Sequence, residues 1–224
     1  MIQVTAFQWV PAFAQGSVRD LRVRWALEEA GIPYGDHLIG PQDQATEAYR
    51  AMQPFGQVPV YRDDKVQMFE SGAIVLHIAQ SSDALMPADD AAGRAMVMTW
   101  LFAASNSVEP FVAELAGIDL FHAGEAWAKE RRPQVETMLR KRLADLQTAL
   151  GDRAFFANGT FSAADILMTH VLRDLRHTTI LADYPALAAY LARCEARPAF
   201  QRALADQLAP FREAEARQPE LAGN

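Results

Sequence analysis

Residues 2–7 (Ile-Gln-Val-Thr-Ala-Phe) alternate apolar and polar side chains, the period-two pattern of a strand with one buried face. A loop containing Pro and Gly follows from Trp9 to Gly16. Leu21, Val23, Ala26, Leu27 and Ala30 then include helical spacings, and Gly31 followed by Pro33 ends that helix. A second short strand is expected over 34–39 and a weak helix over 44–51. Val58–Arg62 and Lys65–Phe69 read as paired strands, with Asp63-Asp64 as the turn between them. Ser71 starts a helix that runs to Gln80 with Ile74, Val75, Ile78 and Ala79 inward. Strand, helix, strand, helix, hairpin, helix is an order that gives one sheet with helices on its faces.

The pattern changes after Ser82. Leu85-Met-Pro-Ala-Asp-Asp90 belongs to a linker, and no strand-period segment follows it. One long helix is expected over 89–116. Pro133 fits the first turn of another, with Val135, Leu139, Leu143, Leu146 and Leu150 spaced along it to Gly151. Ser162-Ala-Ala-Asp165 resembles a capping box with Asp in place of Glu, and it precedes Ile166. Further helices are expected over about 185–196 and 199–208. The predicted organisation is an α/β domain over 1–82, a linker over 83–90 and an all-helical domain over 91–224.

Charge and composition narrow the function. The formal net charge is −7, and both parts of the chain are acidic, which argues against a nucleic-acid footprint or a polybasic membrane anchor. Cys194 is the single cysteine, so no internal disulfide forms, and it reads as a core residue. There is no basic leader and no apolar run long enough to span a bilayer, so a cytoplasmic protein is expected. His37, His77, His122, His170 and His177 have no metal-ligand spacing, and no metal is expected.

The chemistry concentrates in Gln53-Pro-Phe-Gly-Gln-Val-Pro-Val60 and Phe69-Glu-Ser-Gly72. Pro59 opens a strand where it cannot donate to a ladder, a placement suited to a cis-proline at an edge. Val58, just before it, would then offer its N–H and C=O to an extended peptide. Glu70 and Ser71 fall at a strand-to-helix junction. There the free N–H groups and the Ser71 hydroxyl suit a carboxylate, and Glu70 suits an ammonium group.

These residues resemble the thioredoxin-like half of cytosolic glutathione transferases. Ala26-Leu-Glu-Glu-Ala-Gly31, Leu85-Met-Pro87 and Phe161-Ser-Ala-Ala-Asp-Ile166 extend the resemblance over nearly the whole chain. It implies a thioredoxin-like N-terminal domain followed by an all-helical C-terminal domain. It also implies a homodimer packed through the helix after Ser71 and the long helix after Asp89. Glutathione is the implied co-substrate, with Val58 and Pro59 on its cysteinyl backbone and Glu70 and Ser71 on its γ-glutamyl group. Gln57 would reach the peptide backbone or the glycyl end.

The family activates the glutathione sulfur with a Tyr, Ser or Cys near the first helix. No Tyr precedes Tyr34 and no Cys lies there, so Ser17 occupies the place of the serine type. Val18 follows it where the family usually has Pro, and the Trp9–Gly16 loop is longer than expected. Three roles stay open: Ser17 as thiolate donor, Ser17 as helix N-cap, or backbone amides near Gly16–Arg19 assisted by the Arg19 charge. Trp9, Phe13, Trp100 and Asn106 are candidate electrophile liners or packing residues, and Asp165 is assigned to folding. The implied activity is conjugation of glutathione to a small electrophile. The alternatives are glutathione-dependent disulfide reduction and a non-catalytic binding module on the same fold.

Overall fold

The alternating segment forms β1 (Ile2–Phe7), which pairs parallel with β2 (Tyr34–Ile39), Ile2 lying opposite Tyr34. The crossover that a parallel pair requires contains α1 (Asp20–Ala30). Gly31 ends α1 at φ 66°, a left-handed conformation that glycine adopts without steric cost. The computed structural model describes residues 1–223. On its other side β1 pairs antiparallel with β3 (Tyr61–Arg62), and β3 with β4 (Gln67–Met68), giving the order β2-β1-β3-β4. Between β2 and β3 stands α2 (Glu47–Met52), capped by the Thr46 hydroxyl, which accepts from the Tyr49 amide at 3.2 Å. After β4 comes α3 (Ser71–Ala79).

Two details of the hairpin differ from expectation. Its strands are two residues each, because Asp63 draws the chain into a turn: its Oδ1 accepts from the amides of Lys65 and Val66 at 2.7 and 2.8 Å. The strand after Pro59 is also interior rather than an edge, since β3 lies between β1 and β4. Pro59 is accommodated because it lies ahead of the β3 ladder, where no donor is called for.

The chain packs as two units, Met1–Leu85 with the segment from Arg197 onward, and Met86–Ala196. The second contains α4 (Ala91–Ala103), α5 (Glu109–Phe121), α6 (Ala126–Leu150), α7 (Ala163–Arg173) and α8 (Pro185–Glu195). The single helix expected over 89–116 is interrupted by a π turn at Ala104–Val108. Pro110 has no N–H to return to that turn, and the backbone widens there. Pro133 lies inside α6, not at its start. The helix begins at Ala126 because Glu125 enters in an extended conformation after the 122–124 turn. Among the described residues, no helix is long and apolar enough to cross a membrane.

In the first unit α9 (Pro198–Arg217) runs well past the expected end at 208 and packs on α1. Trp25 meets Phe200 edge-on at 4.9 Å, Arg197 grips Glu29 at 2.6 and 2.8 Å, and Arg202 reaches Glu28 at 2.6 Å. Arg24, buried in α1, bonds Asp20 and Asp36 at 2.8 Å each. Burial alone would lower the Arg24 guanidinium, but the two carboxylates hold it above its ordinary range. At Asp20 burial outweighs the opposing pull of Arg24 and Gln207, and the carboxyl is raised.

The expected capping box forms at α7. Asp165 accepts from the amides of Ser162 and Phe156, from the Ser162 hydroxyl and from the Tyr190 hydroxyl, at 3.0, 3.2, 3.1 and 2.9 Å. Burial nonetheless pushes its carboxyl from 3.8 up to about 6, against the four bonds that favour ionisation. A carboxyl that holds its proton more tightly when folded stabilises the fold fully below its unfolded pKa. That contribution is lost as pH rises through the folded value. Replacement Asp165→Ala strands these donors and is expected to cost about 3 kcal/mol in urea unfolding at neutral pH. Between pH 4 and 6 the Asp165 contribution to the wild-type slope should vanish in the variant. A loss under about 1 kcal/mol would contradict the folding role.

Candidate functional site

The site is built where the sheet's ladder has run out and α3 begins. The Val58–Pro59 peptide is cis. The Val60 carbonyl accepts from Thr5 N–H at 2.8 Å, and the Gln57 carbonyl from the Tyr49 hydroxyl at 2.7 Å. Among the described residues, neither the N–H nor the C=O of Val58 between them has a hydrogen-bond partner. Tyr49, Val60 and Ile39 form the cluster on which the Val58 side chain packs.

Glu70 immediately precedes α3 with φ 69° and ψ 106°. A positive φ at a residue other than glycine stores roughly 1–3 kcal/mol and persists where the surroundings enforce it. The Glu70 carboxylate is exposed, with no hydrogen-bond or ion-pair partner among the described residues. Ser71 is 5% exposed, and its Oγ accepts from Arg22 Nη1 at 3.3 Å, so its own proton remains to be donated. Beside it stand the first-turn amides of α3.

Gln57, Val58, Pro59, Glu70 and Ser71 line one small pocket, together with Gln53 and Arg19. Gln53 was not singled out from the sequence. It is 2% exposed, and its Oε1 accepts from the Phe55 amide at 2.7 Å, which leaves the Nε2 end of the amide for the pocket. Its signal was available, as a polar residue at the head of the same Gln-Pro-Phe-Gly segment. Arg19 brings the end of the first loop to the pocket wall. Ser17 is not among the lining residues.

Ser17 is not the N-cap of α1 either. The helix begins at Asp20, Arg19 holds the cap position, and no side chain caps it. The Ser17 amide donates to the Ala14 carbonyl at 2.9 Å, whereas its hydroxyl has no hydrogen-bond partner among the described residues. Of the other candidates, Trp9 donates to Glu215 at 3.1 Å and Phe13 is exposed. In the second unit, Trp100 packs on Phe156 at 4.8 Å, and Asn106 is exposed in the π turn. Among the described residues, no group of His, Cys, Asp and Glu is arranged to hold a metal.

The pocket's residues sit inside a stretch with a known counterpart. The family model for the glutathione S-transferase N-terminal domain matches residues 15–84, and that for its C-terminal domain matches 116–207, together more than half of the chain. The chain belongs to the glutathione S-transferase family. Its fold is the thioredoxin-like half and helical half of that family, and glutathione is the co-substrate that membership implies. A glutathione transferase family member from Pseudomonas fluorescens pf-5, solved with two glutathione molecules bound, aligns with a TM-score of 0.80 at 25% identity. That alignment covers 91% of this chain and 92% of the relative. The glutathione S-transferase-like protein tpcF of Aspergillus fumigatus is 26% identical, over 89% of this chain and 96% of its own. The disulfide-bond oxidoreductase YghU of Escherichia coli is 30% identical over 63% of this chain and 50% of its own.

Proposed function

We propose that this chain binds glutathione in the pocket at Val58 and Ser71 and conjugates its thiolate to an electrophilic small molecule. The observation that carries the reading is the convergence of five residues on one pocket around a Val58 peptide that is unpaired among the described residues. The cysteinyl backbone of glutathione pairs with Val58 in β fashion. The γ-glutamyl carboxylate takes the Ser71 proton and the first-turn amides of α3, and Glu70 takes its ammonium group. Gln57 and Gln53 offer amides to the rest of the tripeptide.

Free glutathione is mostly protonated at neutral pH, because an ordinary thiol has a pKa of about 8.5. The Ser17 hydroxyl is the donor proposed to hold the sulfur as thiolate, and its lack of a partner in the loop supports that over a capping role. The Ser17 amide, already bonded to Ala14, is less suited to the task. The thiolate attacks the electrophilic carbon, a carbon–sulfur bond forms, and the leaving group departs with its electron pair.

A second reading has two specific supports. YghU is a disulfide-bond oxidoreductase, and the Pseudomonas relative holds two glutathione molecules. In that reaction the first thiolate attacks a substrate disulfide and expels one substrate thiolate. The second glutathione then attacks the mixed disulfide, releasing the other substrate thiolate and glutathione disulfide. The protein's own thiol takes no part, since Cys194 is buried and burial pushes it up to about 12.

Replacement Ser17→Ala is expected to raise the pKa of bound glutathione by roughly one unit, read from thiolate ultraviolet absorbance against pH. Turnover of chlorodinitrobenzene at neutral pH should fall about tenfold. An unchanged titration would remove Ser17 from the mechanism. Measured side by side, arene conjugation should exceed reduction of hydroxyethyl disulfide. The reverse ranking would replace the first reading with the second.

A further inference from the structure

We infer that Glu215, near the end of α9, is a positioning residue that holds the Ser17 loop in its working geometry. This rests on the glutathione chemistry proposed above. One oxygen of Glu215 accepts from Trp9 Nε1 at 3.1 Å and from Gln15 Nε2 at 2.7 Å. Both donors belong to the long Trp9–Gly16 loop, at its two ends. The Gln15 amide nitrogen also reaches the Val10 carbonyl at 3.3 Å, so the carboxylate closes the loop onto itself as well as onto α9.

Two helical turns earlier on α9, Gln207 grips the chain on the other side of Ser17. Its Nε2 donates to the Val18 carbonyl at 3.0 Å and to Asp20 Oδ1 at 2.6 Å. Residues eight apart lie about 80° from one another around the helix and about 12 Å apart along its axis. Ser17 is therefore suspended between two fixed points on one rigid element.

The loop's backbone bonds include those of short turns. Ala14 N–H goes to Pro11 at 2.8 Å, Gln15 to Ala12 at 3.3 Å and Ser17 to Ala14 at 2.9 Å. Such turns set local shape and do not fix the loop against the rest of the unit. The bonds to Glu215 do, and they are charge-assisted and partly shielded from water. A hydroxyl that must meet one sulfur depends on that anchoring, since a displacement of about 1 Å can cost up to a hundredfold in rate. The tripeptide itself is held by residues elsewhere, at 57–59 and 70–71. Loosening the loop should thus spare binding and harm chemistry.

The test compares wild type with Glu215→Ala, Glu215→Gln and Trp9→Phe in the full chain. In Glu215→Ala, kcat for chlorodinitrobenzene should fall roughly ten- to hundredfold while glutathione KM and calorimetric affinity stay near wild type. The thiolate titration of bound glutathione should move to higher pH. Glu215→Gln keeps an acceptor and should restore most of the lost kcat. Trp9→Phe removes one donor without touching α9 and should give an intermediate loss; it decides the matter if Glu215→Ala does not fold. Wild-type kcat and titration in Glu215→Ala and Trp9→Phe would overturn the positioning role. So would parallel losses of affinity and kcat that Glu215→Gln does not rescue. A wild-type chain that binds no glutathione would instead overturn the underlying reading of the pocket.

Discussion

Backbone N–H and C=O groups must find partners, and at Val58 the described residues supply none. The β3 ladder begins at Tyr61, Val60 is used by Thr5, and Gln57 is used by Tyr49. The chain on either side of Val58 is thereby tied down while its own peptide groups have no partner among the described residues. The rest of the pocket answers the same need for an extended peptide: Ser71 at the mouth of α3, Glu70 in a left-handed conformation beside it, and the free end of Gln53. A residue with unpaired backbone groups just ahead of a strand and beside a helix N-terminus is suited to a peptide backbone and a carboxylate.

A second layer holds these groups still. Arg22 reaches Ser71 from α1, and Arg24, two residues on, is locked between Asp20 and Asp36. The same α1 is clasped by α9 through Trp25 and Phe200, Glu29 and Arg197, and Asp20 and Gln207. Removing Arg24 would leave the buried Asp20 carboxylate without its ionic partner, which costs about 3–5 kcal/mol. The first unit therefore includes a helix from the far end of the sequence, and that helix is what meets the loop preceding α1.

The parts of this arrangement legible in the sequence are those with a local code. Alternation gave β1, Gly31 marked the end of α1, and Ser162 with Asp165 marked the start of α7. The residues proposed to hold the tripeptide lie within 57–71, so their spacing could be read directly. Local codes failed where tertiary context decides. Pro133 looks like a helix start but is carried inside α6, and the apolar pattern over 89–116 hides the π turn before Pro110. Gln207 and Glu215 carry no motif; their roles exist only because α9 lies against α1. Ser17 is intermediate. Its position was predicted by counting along the chain, but whether it capped a helix required the location of Asp20 as the first helical residue.

The central claim is that glutathione docks as an added strand on Val58 with its γ-glutamyl head at α3. A crystal structure of the chain with glutathione measures this directly. The account predicts cysteinyl N–H and C=O within hydrogen-bond distance of Val58, the γ-glutamyl carboxylate on Ser71, and the sulfur facing the Ser17 loop. Glutathione bound elsewhere, or bound here with Val58 still unpaired, would contradict it.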